Sequence, residues 1–261
     1  MYALITGTTS GIGKEFAKIY AEKGYNLVTV ATNEDILRQQ KDEFEAEYHI
    51  NVKYIVKDLS KENSALEVYN EVKKENINID VLINNAGFGI FGKFTEIEWN
   101  KQRNLAMVNM MAVMQLSYLF GKDMAERKYG KIANISSIAS FQAGPYMAMY
   151  YSSKAFVRSF SEALHEELKN DGVSVTAICP GPTKTNFEAK AHMKKSYMFN
   201  KMKVDTPKDV ARKGYKAIMK NKAVYVVGFH NKLLTFLTRF SSLKINRKIA
   251  QKINIGNAYK K

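Results

Sequence analysis

Tyr150 and Lys154 stand four residues apart in YYSSK, and Ser137 lies thirteen residues before the tyrosine in NISS. An alcohol, a phenol and an ammonium so spaced can carry a proton to or from a carbonyl oxygen. A phenol ionises near pH ~10, so it works as acid or base at neutral pH only where a nearby cation favours its anion. On a helix, positions i and i+4 share a face with Cβ atoms about 5–6 Å apart, which lets the phenol and the ammonium point into one cleft. Tyr151 is three residues from Lys154, not four, and reads as a pocket or packing residue.

Such a trio needs elements to hold it and a second reactant to act with. Tyr2 to Thr6 (YALIT) reads as a short buried strand that runs into Gly7, Thr8, Thr9, Ser10, Gly11, Ile12 and Gly13, and then into a helical stretch. Glycines let a backbone turn sharply and approach a pyrophosphate, while a helix N-terminus offers unpaired N–H groups and partial positive charge. The expected ligand is a dinucleotide. A nucleotide-triphosphate loop is excluded, because five residues separate Gly7 from Gly13 and Glu15 follows Lys14. Further strands are expected at 2–6, 26–31, 52–56, 79–83, 130–135, 173–179 and 223–227, with helices starting near Ile12, Asn33, Lys61, Glu96, Met149 and Pro207. Gly24 and Gly172 are placed to end helices. The alternation predicts a single α/β domain, a Rossmann-like, doubly wound parallel sheet of about seven strands over residues 1–228. Residues 229–261 follow as a basic, amphipathic helical extension.

With T-G-x3-G-x-G at the start, NNAG at Asn84 to Gly87, NISS at Asn134 to Ser137, Y-x-x-x-K, and PGPTKT at Pro180 to Thr185, the chain resembles the short-chain dehydrogenase/reductase family over roughly residues 1 to 228. The resemblance implies roles. Ser137 would hydrogen-bond the substrate oxygen, with its spacing to Tyr150 preferring it over Ser136. Tyr150 would pass the proton, and Lys154 would bind the nicotinamide ribose and lower the Tyr150 pKa. Asn109 in MVNMMA would hold a water in a proton relay, although Asn104 lies in the same segment. The cofactor set implied is Gly7, Thr9, Ser10, Gly11, Ile12, Gly13, Thr32, Asn33, Asp58, Leu59, Asn85, Ala86, Gly87, Tyr150, Lys154, Pro180, Gly181, Thr183 and Thr185. The implied reaction interconverts a ketone and a secondary alcohol, and family members usually pair as homodimers or homotetramers through the helices bearing Asn109 and Tyr150. The alternatives are a catalytically silent dinucleotide-binding regulator, disfavoured because both Tyr150 and Lys154 are present, and a membrane-surface protein that uses the same fold and is tethered by its basic tail.

At the end of the second strand, Val30-Ala31-Thr32-Asn33 carries no acid to repel a 2′-phosphate, and Thr32, Asn33 and Arg38 could meet one, so NADP(H) is expected over NAD(H). No metal is expected, since His49, His165, His192 and His230 show no ligand-like spacing. The lone Cys179 excludes an internal disulfide and reads as a packed thiol.

Composition suits one domain: 261 residues, 46% hydrophobic. No basic, apolar leader opens the chain and no run approaches the ~18 apolar residues of a spanning helix, so a cytoplasmic protein is expected. Charge is uneven. Residues 1–183 hold 20 Lys/Arg and 22 Asp/Glu, a balance of −2; residues 184–261 hold 20 and 3, a balance of +17. Such asymmetry points to an anionic partner. Residues 229–254 interleave Leu, Phe and Ile with Lys and Arg at helical spacing, as a segment lying on an anionic membrane surface would; packing against the domain or a partner subunit explains the apolar face equally well. Nucleic acid is not expected, because no motif for it is present. The stretch 186–203, with Phe187, Met193, Tyr197, Met198 and Phe199 among lysines, falls at the family's variable substrate lid. A bulky hydrophobic ketone or alcohol follows as the expected substrate, of steroid, bile-acid or fatty-acyl type.

Overall fold

The apolar strands of the sequence assemble into one parallel sheet in a computed structural model that describes residues 1–185, 187 and 204–256. Its strands are β1 (Tyr2–Thr6), β2 (Asn26–Ala31), β3 (Val52–Val56), β4 (Val81–Asn84), β5 (Gly130–Ile135), β6 (Val173–Cys179) and β7 (Val224–Val226). Among the described residues the order is β3-β2-β1-β4-β5-β6-β7, every pair parallel. Parallel neighbours need crossovers, and the helices supply them: α1 (Gly11–Glu22), α2 (Glu34–Tyr48), α3 (Ser64–Lys74), α4 (Trp99–Ala106), α5 (Ala112–Glu126), α6 (Ala148–Leu168) and α7 (Pro207–Met219). Two more helices, α8 (Phe229–Leu237) and α9 (Leu243–Ile255), complete the chain's described part.

Strand side chains alternate between two cores. Ala3, Ile5, Val81 and Ile83 face α1 and α7, where Phe16, Tyr20, Val210 and Ile218 bury completely. Leu4, Val28, Leu82 and Ile132 face α3 and α5, against Val68, Val72, Leu116 and Phe120. With both faces covered, the strands read as continuous apolar runs, and each buried Leu, Ile or Phe contributes about 1.5–3 kcal/mol of transfer free energy. Polar residues at the strand ends pair with one another: Asn84 Nδ2 donates to Asn134 Oδ1 (2.8 Å) and Ser117 Oγ (3.1 Å), and Asn134 Nδ2 donates to Ser161 Oγ (2.9 Å).

The chain winds outward from β1 to β3 and then returns to place β4 on the other side of β1. At that reversal the loops after β1 and β4 diverge and leave a crevice beyond the strands' carboxyl ends. Several expected elements differ in their bounds, such as the helix foreseen near Glu96, which begins at Trp99, and the strand foreseen at 79–83, which spans Val81–Asn84. The helix foreseen near Lys61 begins at Ser64, because Asp58 Oδ1 accepts the Ser60 N–H (2.9 Å) in a turn and Asn63 takes a left-handed φ of 61°. The amphipathic tail is two helices, broken where Ser242 caps α9 and Asn246 Nδ2 turns back to the Thr238 carbonyl (3.0 Å).

Candidate active site

A cavity of about 480 Å³ occupies the crevice, lined from the β1, β2, β3, β4, β5 and β6 loops and from α6, α8 and α9. Its floor is the glycine turn. Gly7 and Gly11 have φ of 73° and 60°, which side chains resist. A Cβ on Gly13 would stand 2.2 Å from the Gly7 carbonyl oxygen, so only hydrogen lets α1 start this close under the turn. The turn is tied down from behind: Asn85 Nδ2 donates to the Thr6 and Gly7 carbonyls (2.9 and 3.1 Å), and Gln40 Nε2 donates to the Thr8 carbonyl (3.0 Å). Ser10 makes no side-chain cap and no acid sits in the first turn of α1, so this helix end keeps its N–H donors and positive character for an anion. These features fit a dinucleotide pyrophosphate.

The proton-transfer trio meets at the other end. Ser137 follows β5, its Oγ accepting the Ala139 N–H (3.1 Å) and donating to the Pro180 carbonyl (3.5 Å), and it lines the cavity together with Tyr150. Tyr150 and Lys154 sit on the first turns of α6, with the ammonium 5.9 Å from the phenol ring centroid. Lys154 is buried, and its Nζ donates to the Ile135 carbonyl (2.7 Å). Phe187 leans on Tyr150 at 5.1 Å between ring centroids.

The electrostatics depart from expectation. Tyr150 is half-buried, and burial pushes the phenol up to about 12, with the nearby Ser137 hydroxyl opposing. Burial likewise pulls Lys154 down to about 8. Among the protein's own groups the expected depression of the Tyr150 pKa by Lys154 does not appear: desolvation dominates, and the ammonium is itself desolvated and turned toward a backbone carbonyl.

Asn109 lies in a π-helical turn, Met107–Met111, between α4 and α5. Its Oδ1 accepts the Phe88 N–H (3.1 Å), while its Nδ2 donates to the Phe88 carbonyl (3.0 Å) and Ser153 Oγ (3.1 Å). A Cβ on Gly87 would lie 3.1 Å from Asn109 Oδ1 and 3.4 Å from Lys154 Nζ, so the two groups close on Gly87 from separate helices. Single-turn π distortions recur at functional sites, and here the widened turn aims Asn109 at the loop after β4.

The structure brings Gly7, Thr9, Ser10, Gly11, Ile12, Thr32, Asp58, Leu59, Asn85, Ala86, Gly87, Ser137, Tyr150, Lys154, Pro180, Gly181, Thr183 and Thr185 to the cavity wall. Three expected residues stand behind it: Gly13 under the turn, Asn109 behind Gly87, and Asn33, whose Oδ1 caps α2 at the Ile36 N–H (2.9 Å). Arg38 pairs with Asp35 (2.9 Å) away from the cavity, whereas Lys57, unforeseen, lines it beside Asp58 and pairs with Glu67 (2.8 Å). Also unforeseen are Phe88, Gln142, Met147, Leu234 and Ile253. Of the lid expectation, Phe187 lines the cavity; Met193, Tyr197, Met198 and Phe199 lie outside the described residues. Cys179 is buried and its thiol is pushed up to about 11 by burial, which makes it a packed group. Among the described residues, no cluster of His, Cys, Asp or Glu has the makings of a metal site, and no helix is long and apolar enough to cross a membrane.

The chain is similar to known proteins in sequence and in fold. The family model "short chain dehydrogenase" matches residues 1–196. A very-long-chain 3-oxoacyl-CoA reductase of Bos taurus is 33% identical over 186 residues, which are 69% of this chain and 58% of that protein, so the chain spans little more than half the length of this relative. A short-chain dehydrogenase from Sphingobium yanoikuyae, solved in complex with NADPH, superposes with a TM-score of 0.82 at 25% identity, covering 96% of this chain and 97% of that one. A bulky-bulky ketone specific alcohol dehydrogenase from Comamonas testosteroni superposes at 0.78 with 27% identity, covering 92% of each. Glycine turn, Ser137, Tyr150, Lys154 and parallel sheet thus stand together with a family match over most of the sequence, and the chain belongs to the short chain dehydrogenase family, whose fold binds NAD(P).

Proposed function

We propose that the protein is an NADP(H)-dependent oxidoreductase that interconverts a bulky hydrophobic ketone and its secondary alcohol. The observation that carries this reading is one cavity with a pyrophosphate cradle at one end and Ser137 and Tyr150 beside a buried Lys154 at the other. The wall also carries an apolar group, Phe88, Met147, Tyr151, Phe187, Leu234 and Ile253, with the carboxamides of Gln142 and Asn104 among the lining residues. When bound, the nicotinamide supplies hydride to the carbonyl carbon, or accepts it in reverse. Ser137 holds the carbonyl oxygen and Tyr150 gives it a proton. A phenol held near 12 rests protonated, so it enters the reductive direction as the donor. Lys154, held near 8, can return a proton to the tyrosinate at neutral pH and regain one itself. Asn109 steadies the Gly87–Phe88 backbone beside that ammonium.

NADP(H) is favoured because Ala31 and Thr32 bring no acid to the cavity's ribose end, where Lys57 adds a cation. The exposed Trp99 and Tyr118, on the helices flanking Asn109, support a homodimer or homotetramer paired through that face. Peripheral contact with an anionic membrane rests on α8 and α9, whose exposed Phe229, Leu237, Leu243 and Ile249 are interspersed with basic residues and no acids. Oxidation of NADPH and NADH across a panel of ketones, with Tyr150→Phe as control, tests the reading. Turnover of small polar sugars alone would overturn the substrate class, and equal affinity for both cofactors the preference. Co-sedimentation with anionic vesicles at low and high salt tests the membrane contact.

A further inference from the structure

Asn254 is 1% exposed, near the C-terminal end of α9, yet both ends of its carboxamide bind the segment that carries Tyr150. Its Oδ1 accepts the Tyr151 hydroxyl (3.0 Å), and its Nδ2 donates to the Pro145 carbonyl (2.9 Å). That segment is itself closely packed, since a Cβ on Gly144 would meet the Tyr151 ring at 2.3 Å. At the other side of the cavity, Asn231 of α8 donates to the Val227 carbonyl (2.7 Å) and presses on Gly181, where a Cβ would meet it at 2.5 Å. Gly181 belongs to the loop after β6. The tail is thus pinned to two opposite walls of the cavity, and between the pins Leu234 and Ile253 face into it.

Resting on the proposed oxidoreductase reading, we propose that α8 and α9 form the outer wall of the substrate site, with Leu234 and Ile253 reading the apolar body of the substrate and Asn254 as the positioning residue that sets the wall's distance from Tyr150. A buried carboxamide with both ends satisfied fixes a helix in register more sharply than apolar contact does, because moving it leaves polar groups unpaired. Ile253 is next to Asn254 in sequence, so the position of the one fixes that of the other. Chain length or ring bulk would then be sensed by the tail.

The test compares full-length wild type with Leu234→Ala, Ile253→Ala and Asn254→Ala. The first readout is the ratio of kcat/KM for a long-chain or polycyclic ketone to that for a small cyclic ketone. Each change is expected to lower the ratio roughly tenfold or more, the loss lying in KM, since a few methylenes of lost contact are worth that much. A merely structural Asn254 would depress both substrates together and leave the ratio fixed, which would overturn its positioning role. The second readout is binding of a dansylated fatty acid, which needs no turnover. Weakening of about tenfold by Leu234→Ala and Ile253→Ala supports the wall; unchanged binding overturns it. Should wild type reduce no ketone, the oxidoreductase reading fails, and the dansyl titration still decides whether the tail lines an apolar site. Tyr151→Phe, which keeps the ring and removes one hydrogen bond, is expected to shift the ratio the same way by a smaller factor, and guards against Asn254→Ala failing to fold.

Discussion

Replacing Lys154 by methionine removes a cation that the fold withholds from water. The residue is 6% exposed, and burial pulls its ammonium down to about 8 from 10.5. Between those values the unfolded chain still binds a proton that the folded chain has shed, so native stability rises with pH across that window. A gap of about 2.5 pH units, at roughly 1.4 kcal/mol each, costs the native state about 3 kcal/mol at pH 7, most of which is gone by pH 10. Methionine has similar length and nothing to titrate. It also surrenders the 2.7 Å bond to the Ile135 carbonyl, and a buried acceptor left bare costs about 1–3 kcal/mol at any pH. The absolute stability of Lys154→Met therefore hangs on two opposed effects, whereas only one of them depends on pH. Urea unfolding of both proteins at pH 7 and pH 10 isolates it, because every other titrating group is shared and drops out of the difference. The stability of Lys154→Met relative to wild type is expected to fall by about 2–3 kcal/mol from pH 7 to pH 10, with turnover lost at both. A difference independent of pH would refute the claim that a desolvated ammonium sits beside Tyr150.

Tyr150→Phe is expected to lower kcat for ketone reduction by about 10²–10⁴, the usual worth of a positioned proton donor; a rate within tenfold of wild type would remove Tyr150 from the proton path. Reduction by wild type should decline as pH rises through about 8, where Lys154 loses the proton it returns to Tyr150, and Lys154→Arg should be slow across the whole range, because a guanidinium keeps its proton; kcat profiles from about pH 6 to 10 read both. Gly13→Ala places a methyl 2.2 Å from the Gly7 carbonyl oxygen and should cost about 1–3 kcal/mol of stability while weakening dinucleotide affinity, both measurable by thermal melts with and without NADPH.

What was legible in the sequence was what local chemistry constrains. β1, β3, β5 and β6 fall on their expected residues because their apolar runs are bounded by turn-forming sequence, and Gly24 and Gly172 do take positive φ at helix ends. The glycine turn and the Tyr150–Lys154 pair were readable for the same reason, since each function fixes a spacing within a few residues. Asn33 shows the limit. Its side chain could serve a phosphate or cap α2, and the N-terminal N–H groups of α2, being nearer, take it. Lys57, Leu234 and Ile253 carry no motif; only the sheet order and the tail's return across the cavity bring them to its wall.

The tail makes the same point in energetic terms. An amphipathic pattern reports that a helix has an apolar face, and it is silent on what that face meets. Here the pattern is divided: Ala250, Asn246 and Asn254 turn inward and bury, while Leu243, Ile245 and Ile249 stay exposed on the same helix. In sequence the asparagines look like the polar interruptions of a surface helix. In the structure they are the buried residues, because a carboxamide that finds both a donor and an acceptor costs little to bury, whereas a leucine face without a partner stays in water for want of one. The polar residues thus say where the tail is attached, and the apolar ones divide between the cavity, through Ile253, and the exposed outer face of the helix. Because α9 carries both faces, whatever binds the outer one bears on the helix that holds Asn254 against Tyr151.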